Sequence, residues 1–257
     1  MITNKIRTIA QKAAQEAGDV LAKRYNKFNR NNVKFKAKNE IVTKADLAAE
    51  KVIINMIKKN FPEHRILSEE AGKINTNSDY LWIIDPLDGT TNFSMHNPLW
   101  STCLALAYKN KIVLGIIYAP ILNETFQAEK GKGAFLNKKR IRVSNYKDGN
   151  VINAFCSSRE TKDIEQATAY YKQQKLNQLD CRSLGSASIE LAYVSCGRIE
   201  SITIPGANSW DVAAGALIIR EAGGRVTNFK DEAWNINSLD FIGSNGKVHK
   251  QILSIIK

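Results

Sequence analysis

No stretch of this 257-residue chain approaches the roughly 20 consecutive apolar residues that a membrane-spanning helix needs. Its start, Met1-Ile2-Thr3-Asn4-Lys5-Ile6-Arg7, carries no apolar block of the secretory-leader kind. The expectation is a cytoplasmic protein without a membrane partner. Cysteine is sparse: Cys103, Cys156, Cys181 and Cys196 are scattered and form no Cys-x-x-Cys pair. That speaks against a zinc site or a disulfide framework and reads as small buried thiols in a reducing compartment. Of the three histidines, His64, His96 and His249, none stands with a serine or cysteine in a nucleophile–base arrangement. There is no internal repeat, low-complexity tract or linker. Residues 1–257 therefore read as a single domain, with lobes 1–145 and 146–257 as the alternative division.

What the chain does have is a net charge of +12 within an otherwise ordinary globular composition. The lysines are spread out, with a modest cluster at Lys130-Gly131-Lys132 and Lys138-Lys139-Arg140. A solvated surface is the plain reading, and a positive field that gathers anionic substrates is the functional one. Nucleic-acid binding is a third, but no zinc finger, helix-turn-helix or aromatic-basic stacking pattern supports it.

Apolar spacing predicts a helix over residues 4–25 and another from Asp46 to the stop at Pro62. Short strands are expected at 33–36, after a Lys38-Asn39-Glu40 turn at 41–43, and at 65–68, the last delivering Glu69. Strands at 101–108, 112–118 and 125–128 follow, with a hairpin tip at Asn110-Lys111, and a further strand is expected at 141–143. Beyond residue 150, strands (151–156, 180–184, 199–204) alternate with helices (162–175, 187–196, 210–222). Gly223-Gly224 stops the last of these, and a final helix begins near Gly246. Antiparallel hairpins set between helical pairs give a mixed α/β chain rather than a simple doubly wound sheet.

The richest segment is Trp82-Ile83-Ile84-Asp85-Pro86-Leu87-Asp88-Gly89-Thr90-Thr91-Asn92-Phe93. A buried-strand pattern from Leu81 to Ile84 is expected to end at Asp85, since Pro86 cannot donate to a ladder. Asp85 and Asp88 then offer hard oxygen ligands suited to Mg²⁺. Gly89-Thr90-Thr91 supplies flexible backbone and hydroxyls where a helix can start and face an anion. An acid pair beside a phosphate cradle points to metal-assisted phosphate chemistry. Glu69 at a strand end and Asp211 at a helix start can converge on the same place. Asn208-Ser209 are good N-cap types, so Asp211 also favours the helix dipole. Ala213-Ala214-Gly215-Ala216 strips bulk from that helix, letting it pack closely on the acid turn.

Asp85 to Phe93 resembles the first signature of the inositol monophosphatase family, and Trp210-Asp211-Val212-Ala213-Ala214-Gly215 resembles its second. Ser68-Glu69-Glu70 and Ile41-Val42-Thr43-Lys44-Ala45-Asp46 resemble two further elements, and all four occur in the family's order. The resemblance implies a layered α-β-α-β-α sandwich and a lithium-sensitive phosphomonoesterase using two or three Mg²⁺ ions. It implies a homodimer and a small phosphorylated substrate. It places metal ligands at Glu69, Asp85, the Leu87 carbonyl, Asp88 and Asp211, with Asp85 bridging. Glu69, Thr90 and Asp46 would serve catalysis, the last two orienting the attacking water. Substrate contacts would fall on Asp88, Gly89, Thr90, Ala187, Ser157 and Asp211, with Lys36 as a further candidate once a one-residue gap is allowed. Ala187 belongs to Arg182-Ser183-Leu184-Gly185-Ser186-Ala187-Ser188, which resembles the family's substrate-side loop.

One position departs. Inositol-specific members commonly carry a glutamate seven residues before the second-signature aspartate, and here that place reads Ile204. Thr91-Asn92 favours the inositol-type branch over the nucleotide-bisphosphatase branch. An inositol monophosphate or related sugar phosphate is the leading expectation. Fructose-1,6-bisphosphate or NADP at the same site is the alternative. A basic nucleic-acid-binding or regulatory protein on a phosphatase scaffold is the alternative of another class.

Overall fold

The expected amphipathic start forms α1 (Asn4–Tyr25), capped by the Thr3 hydroxyl, which accepts from the Ile6 N–H at 3.2 Å. α2 (Lys44–Asn60) follows a two-stranded hairpin of β1 (Lys34–Ala37) and β2 (Glu40–Val42). This is a computed structural model that describes residues 2–29, 34–37, 40–42, 44–148 and 151–256, without side chains for 34–37 and 40–42. The Lys38-Asn39 turn, Thr43 and the Lys36 side chain lie outside the described residues.

α1 and α2 pack on each other and on one face of an eight-stranded sheet. Its members are β3 (Arg65–Ser68), β4 (Gly72–Ile74), β5 (Tyr80–Asp88), β6 (Ser101–Tyr108), β7 (Lys111–Ala119), β8 (Glu124–Glu129), β9 (Gly133–Leu136) and β10 (Lys139–Ile141). Their order is β10-β9-β8-β7-β6-β5-β3-β4. Side-chain alternation sends Trp82, Ile84, Leu104 and Leu106 toward α1 and α2. Ile83, Cys103 and Ala105 point the other way. Because both faces are covered, β5 and β6 read as continuous apolar runs rather than alternating ones.

Three local expectations need correction. The β6–β7 hairpin tip is Lys109-Asn110, both at positive φ (48° and 59°), one residue earlier than the Asn110-Lys111 reading. The strand expected at 141–143 sits at Lys139–Ile141, paired with β9. Most consequentially, β5 does not stop at Asp85 but runs to Asp88. Asp85 pairs with Cys103 and Asp88 with Ser101, so three steps on β5 match two on β6. Pro86 falls inside this bulge, where it owes no ladder hydrogen bond.

The second sheet has the order β12-β11-β13-β15-β14. It comprises β11 (Ile152–Phe155), β12 (Asp180–Arg182), β13 (Ser201–Pro205), β14 (Arg225–Thr227) and β15 (Asp240–Ser244). Between the two sheets lie α5 (Ala187–Ser195) and α6 (Ser209–Glu221), with a five-residue helix, α3 (Thr90–Ser94), after the β5 bulge. α4 (Thr161–Leu176) and α7 (His249–Ile256) complete the helices of the described residues. They cover the outer face of the second sheet, where Tyr170, Ile252 and Leu253 meet Ile242. The layers therefore run helices, sheet, helices, sheet, helices, as the resemblance implies. The small residues of α6 serve this sandwich, and the same helix packs on β5, the strand that carries the acid turn. A Cβ on Gly115 of β7 would stand 2.7 Å from the Ala214 carbonyl oxygen, and one on Gly215 would stand 2.6 Å from Leu191 Cβ of α5.

Candidate active site

The β5 bulge sets the site. Asp85 is 1 % exposed, and its Oδ1 accepts the Leu87 N–H at 3.0 Å, which closes a tight turn over Pro86. The Pro86 carbonyl accepts from the Thr102 hydroxyl at 3.0 Å, tying the bulge to β6. Gly89 follows at φ +86°, and a Cβ there would lie 3.0 Å from the Leu99 carbonyl oxygen and 3.1 Å from Ser186 Cβ. Backbone and packing alike demand glycine at this junction.

Four acids gather here from separate elements: Glu69 just past β3, Asp85 and Asp88 on β5, and Asp211 in the first turn of α6. The Asp85 carboxyl is held well above its usual range by burial first, then by repulsion from Glu69, Asp88 and Asp211, and it contacts the Glu69 carboxyl directly. Asp211 is pushed up to about 8 by burial and then by Asp88 and Glu69. Among the described residues, the strongest charges acting on Asp85 are thus all of its own sign. Such a group must hold protons or gather cations. Oxygen-only donors at this charge density suit Mg²⁺.

The acids are electrostatic neighbours rather than a finished coordination sphere. No group of three or more His, Cys, Asp or Glu among the described residues is arranged to hold an ion as it stands. Two of the acids are also held by hydrogen bonds. Asp88 Oδ2 takes the Ser188 N–H at 2.9 Å and the hydroxyls of Ser186 and Ser188. Asp211 Oδ2 takes the Asn208 backbone N–H at 3.2 Å and its side-chain amide. Each carboxylate has oxygen lone pairs left over from these contacts.

Thr90 opens α3, and its hydroxyl lies 3.3 Å from Asp46 Oδ1 and 3.1 Å from the Leu87 carbonyl oxygen. It has one proton for two acceptors. Asp46 is fully buried in the first turn of α2. One turn further on, Glu50 Oε1 accepts from the Ser68 hydroxyl at 2.5 Å, the Ala71 N–H at 2.9 Å and the Glu70 N–H at 3.2 Å. Glu50 therefore shapes the turn that carries Glu69.

On the opposite wall, the Ala187 N–H faces the Asp88 carboxylate as well. Ser157 follows Cys156, whose thiol is raised by burial and then by Glu190, Asp88 and Asp211, so the end of β11 adjoins the acids. Ile204 is 2 % exposed and belongs to the apolar core, so the departure seen in the sequence is a buried aliphatic group. Lys36 falls at the register irregularity of the β1–β2 hairpin, and β2 lies beside α3. Two surface clefts, of about 220 and 330 Å³, lie away from the acids. One is lined by Arg7, Gln11 and Phe135, the other by Lys111, Arg220 and Trp234.

The sequence reading brought Glu69, Asp85, Leu87, Asp88, Asp211, Thr90 and Asp46 to one place. It missed Glu50, Ser186 and Ser188 as supports of that place. Glu50 is hidden in the apolar rhythm of α2, though its spacing of four from Asp46 puts both acids on one helix face. Ser186 is a helix N-cap whose hydroxyl also serves Asp88, and sequence shows only the first role.

Comparison with known proteins agrees with this geometry. The sequence profile of the Inositol monophosphatase family matches residues 3–257. "Nus factor SuhB" of Pasteurella multocida is 37 % identical over 257 residues, covering 99 % of this chain and 96 % of that protein. A fructose-1,6-bisphosphatase/inositol-1-monophosphatase of Thermotoga maritima is 39 % identical over 217 residues, covering 84 % of this chain and 82 % of that protein. The crystal structure of extragenic suppressor protein suhB from Bartonella henselae superposes with a TM-score of 0.91 at 33 % identity, covering 98 % of both chains. An IMPase from Thermotoga maritima does so with a TM-score of 0.85 at 36 % identity, covering 95 % of this chain and 94 % of that one. Matched along nearly its whole length in sequence and in fold, this chain belongs to the inositol monophosphatase family.

Proposed function

We propose that the protein is a Mg²⁺-dependent phosphomonoesterase acting on inositol monophosphate or a related sugar phosphate, with residues 1–257 as one catalytic unit. The observation that carries this reading is the convergence of Glu69, Asp85, Asp88 and Asp211, three of which repel the buried Asp85 carboxyl. Glu69, Asp85 and the Leu87 carbonyl would hold one ion, and Asp85, Asp88 and Asp211 a second. When bound, the ions supply positive charge that neutralises the phosphoryl group and lowers the pKa of water.

The chain's own residues do the rest. Asp46 accepts the Thr90 hydroxyl proton in a hydrogen bond, leaving the Thr90 oxygen lone pairs free to accept from a water and fix its line of attack. The Gly89 and Thr90 N–H groups, at the start of α3, seat phosphoryl oxygens. Ser157 and the Ala187 backbone stand on the wall where the alcohol portion would lie. Ile204 offers no acceptor for vicinal hydroxyls, so the polyol is held less tightly than an acid there would allow. Removing one charged hydrogen bond costs about 1.5–3 kcal/mol. This keeps sugar bisphosphates and NADP in the substrate range, and the bifunctional name of the Thermotoga relative supports such breadth.

Phosphate release measured over inositol phosphates, sugar bisphosphates, NADP and adenosine bisphosphate tests the reading, with D85N as control. The variant should be inactive while folded, and an active D85N would remove the mechanism. Lithium should inhibit, and light scattering should give a dimer mass.

A second reading has its own support: the net charge of +12 and a relative named as a Nus factor. In that reading the protein serves as a regulatory factor that contacts nucleic acid or its machinery. Salt-dependent binding to RNA or DNA, with no phosphate released from any monoester, would favour it over hydrolysis.

A further inference from the structure

Glu190 sits in the first turn of α5, fully buried, and its Oε2 has no hydrogen-bond partner. Its Oε1 accepts the Leu184 N–H at 2.5 Å, and the Gly185 N–H faces the same carboxyl. The carbonyl side of Leu184 is held too. The Leu184 carbonyl accepts from Asn92 Nδ2 at 2.8 Å, and a Cβ on Gly185, which has φ +79°, would stand 3.1 Å from both polar atoms of the Asn92 amide. Asn92 belongs to α3, two residues after Thr90. Directly beyond the gripped peptide, Ser186 and Ser188 give Asp88 its hydroxyl contacts.

We propose that Glu190 is a positioning residue for the acid site: it fixes the Leu184–Gly185 peptide, which aims Ser186 and Ser188 at Asp88. A loop without that acceptor keeps its Asn92 contact but loses the restraint on its amide side, so the serine pair drifts from Asp88. Only the acceptor oxygen is needed. Burial and then the nearby Asp88 favour the neutral form of Glu190, so an amide should replace it well. This inference deepens the metal-dependent reading and rests on it.

The experiment uses the full chain, with Mg²⁺ affinity measured by calorimetry and phosphate release measured against Mg²⁺ concentration. E190Q should keep both within twofold of wild type, whereas E190L, similar in bulk but without an acceptor, should weaken Mg²⁺ binding tenfold or more. Wild-type Mg²⁺ affinity in E190L would overturn the proposal, as would E190Q impaired as severely as E190L. Should E190L not fold, G185A disturbs the same peptide from the Asn92 side and should also weaken Mg²⁺ tenfold, and an unchanged affinity there would overturn the proposal. A wild type that releases no phosphate counts against the hydrolase reading, while the calorimetric comparison still decides Glu190.

Discussion

The Thr90 hydroxyl lies 3.3 Å from Asp46 Oδ1, joining the turn after β5 to the start of α2 across 44 residues of sequence. The pair places a proton acceptor, buried and fixed by a helix, behind the hydroxyl that follows the acid turn. In D46N the amide offers an acceptor of similar shape but no charge. We expect kcat to fall roughly 10²-fold, the lower end of the general-base range, with little change in KM or melting temperature. Steady-state kinetics checks this, and a loss within threefold would sink the role of Asp46.

Asp85 stores repulsion. Its carboxyl is raised by burial and then by three neighbouring acids, so the metal-free protein near neutral pH carries a penalty at this residue. D85N keeps an acceptor for the Leu87 N–H and removes the charge. In the presence of chelator the variant should be more stable than wild type by about 1–3 kcal/mol. Added Mg²⁺ should raise the melting temperature of wild type and leave that of D85N nearly unmoved. Thermal unfolding with and without Mg²⁺ measures both effects.

His249 predicts an acid-side instability independent of the site. It is fully buried between the Thr227 hydroxyl at 2.9 Å and the Ser244 hydroxyl at 2.8 Å. Burial first, then Arg225, lowers its pKa to about 4, with Asp231 opposing. The unfolded chain accepts a proton near pH 6.5 and the folded protein only near 4. The contribution is therefore intact above pH 6.5 and lost as pH falls toward 4. Relative to H249Q, wild type should lose up to roughly 3 kcal/mol across that window. Urea unfolding of both proteins at pH 7, 5.5 and 4 reads the difference, and parallel pH curves would contradict it.

Gly115 tests the close seam between β7 and α6. A methyl group there meets the Ala214 backbone at 2.7 Å, which a side-chain rotation cannot relieve. G115A should cost about 1–3 kcal/mol. Because α6 also carries Asp211, Mg²⁺ affinity should weaken in parallel. Denaturant unfolding and calorimetry check the two parts, and unchanged stability would mean that the seam yields.

Much of the site was legible in the sequence because its signals are local. Asp85, Pro86, Asp88 and Gly89 occupy one turn, where a proline, two short acids and a glycine have few backbone options. The helices carrying Asp46 and Asp211 announce themselves by apolar spacing and by cap residues. Less visible was the bulge, since Pro86 reads as a strand end unless the partner strand β6 is known. Strands β4, β9, β14 and β15 were also missed. Three of these have only three or four residues, too short for a period-two signal, and β15 depends on pairing with β13, about 40 residues earlier.

The order of amino acids by itself determined which residues are acidic, where turns must form and which family pattern the chain follows. These depend on side-chain chemistry and on steric limits within a few residues. Only tertiary structure decided that Glu50 shapes the Glu69 turn, that Ser186 and Ser188 bind Asp88, and that Asp85 is buried among three partly exposed acids. Long-range contacts are set by the packing of two sheets around α5 and α6, and no local rule encodes which acids that packing will bring together.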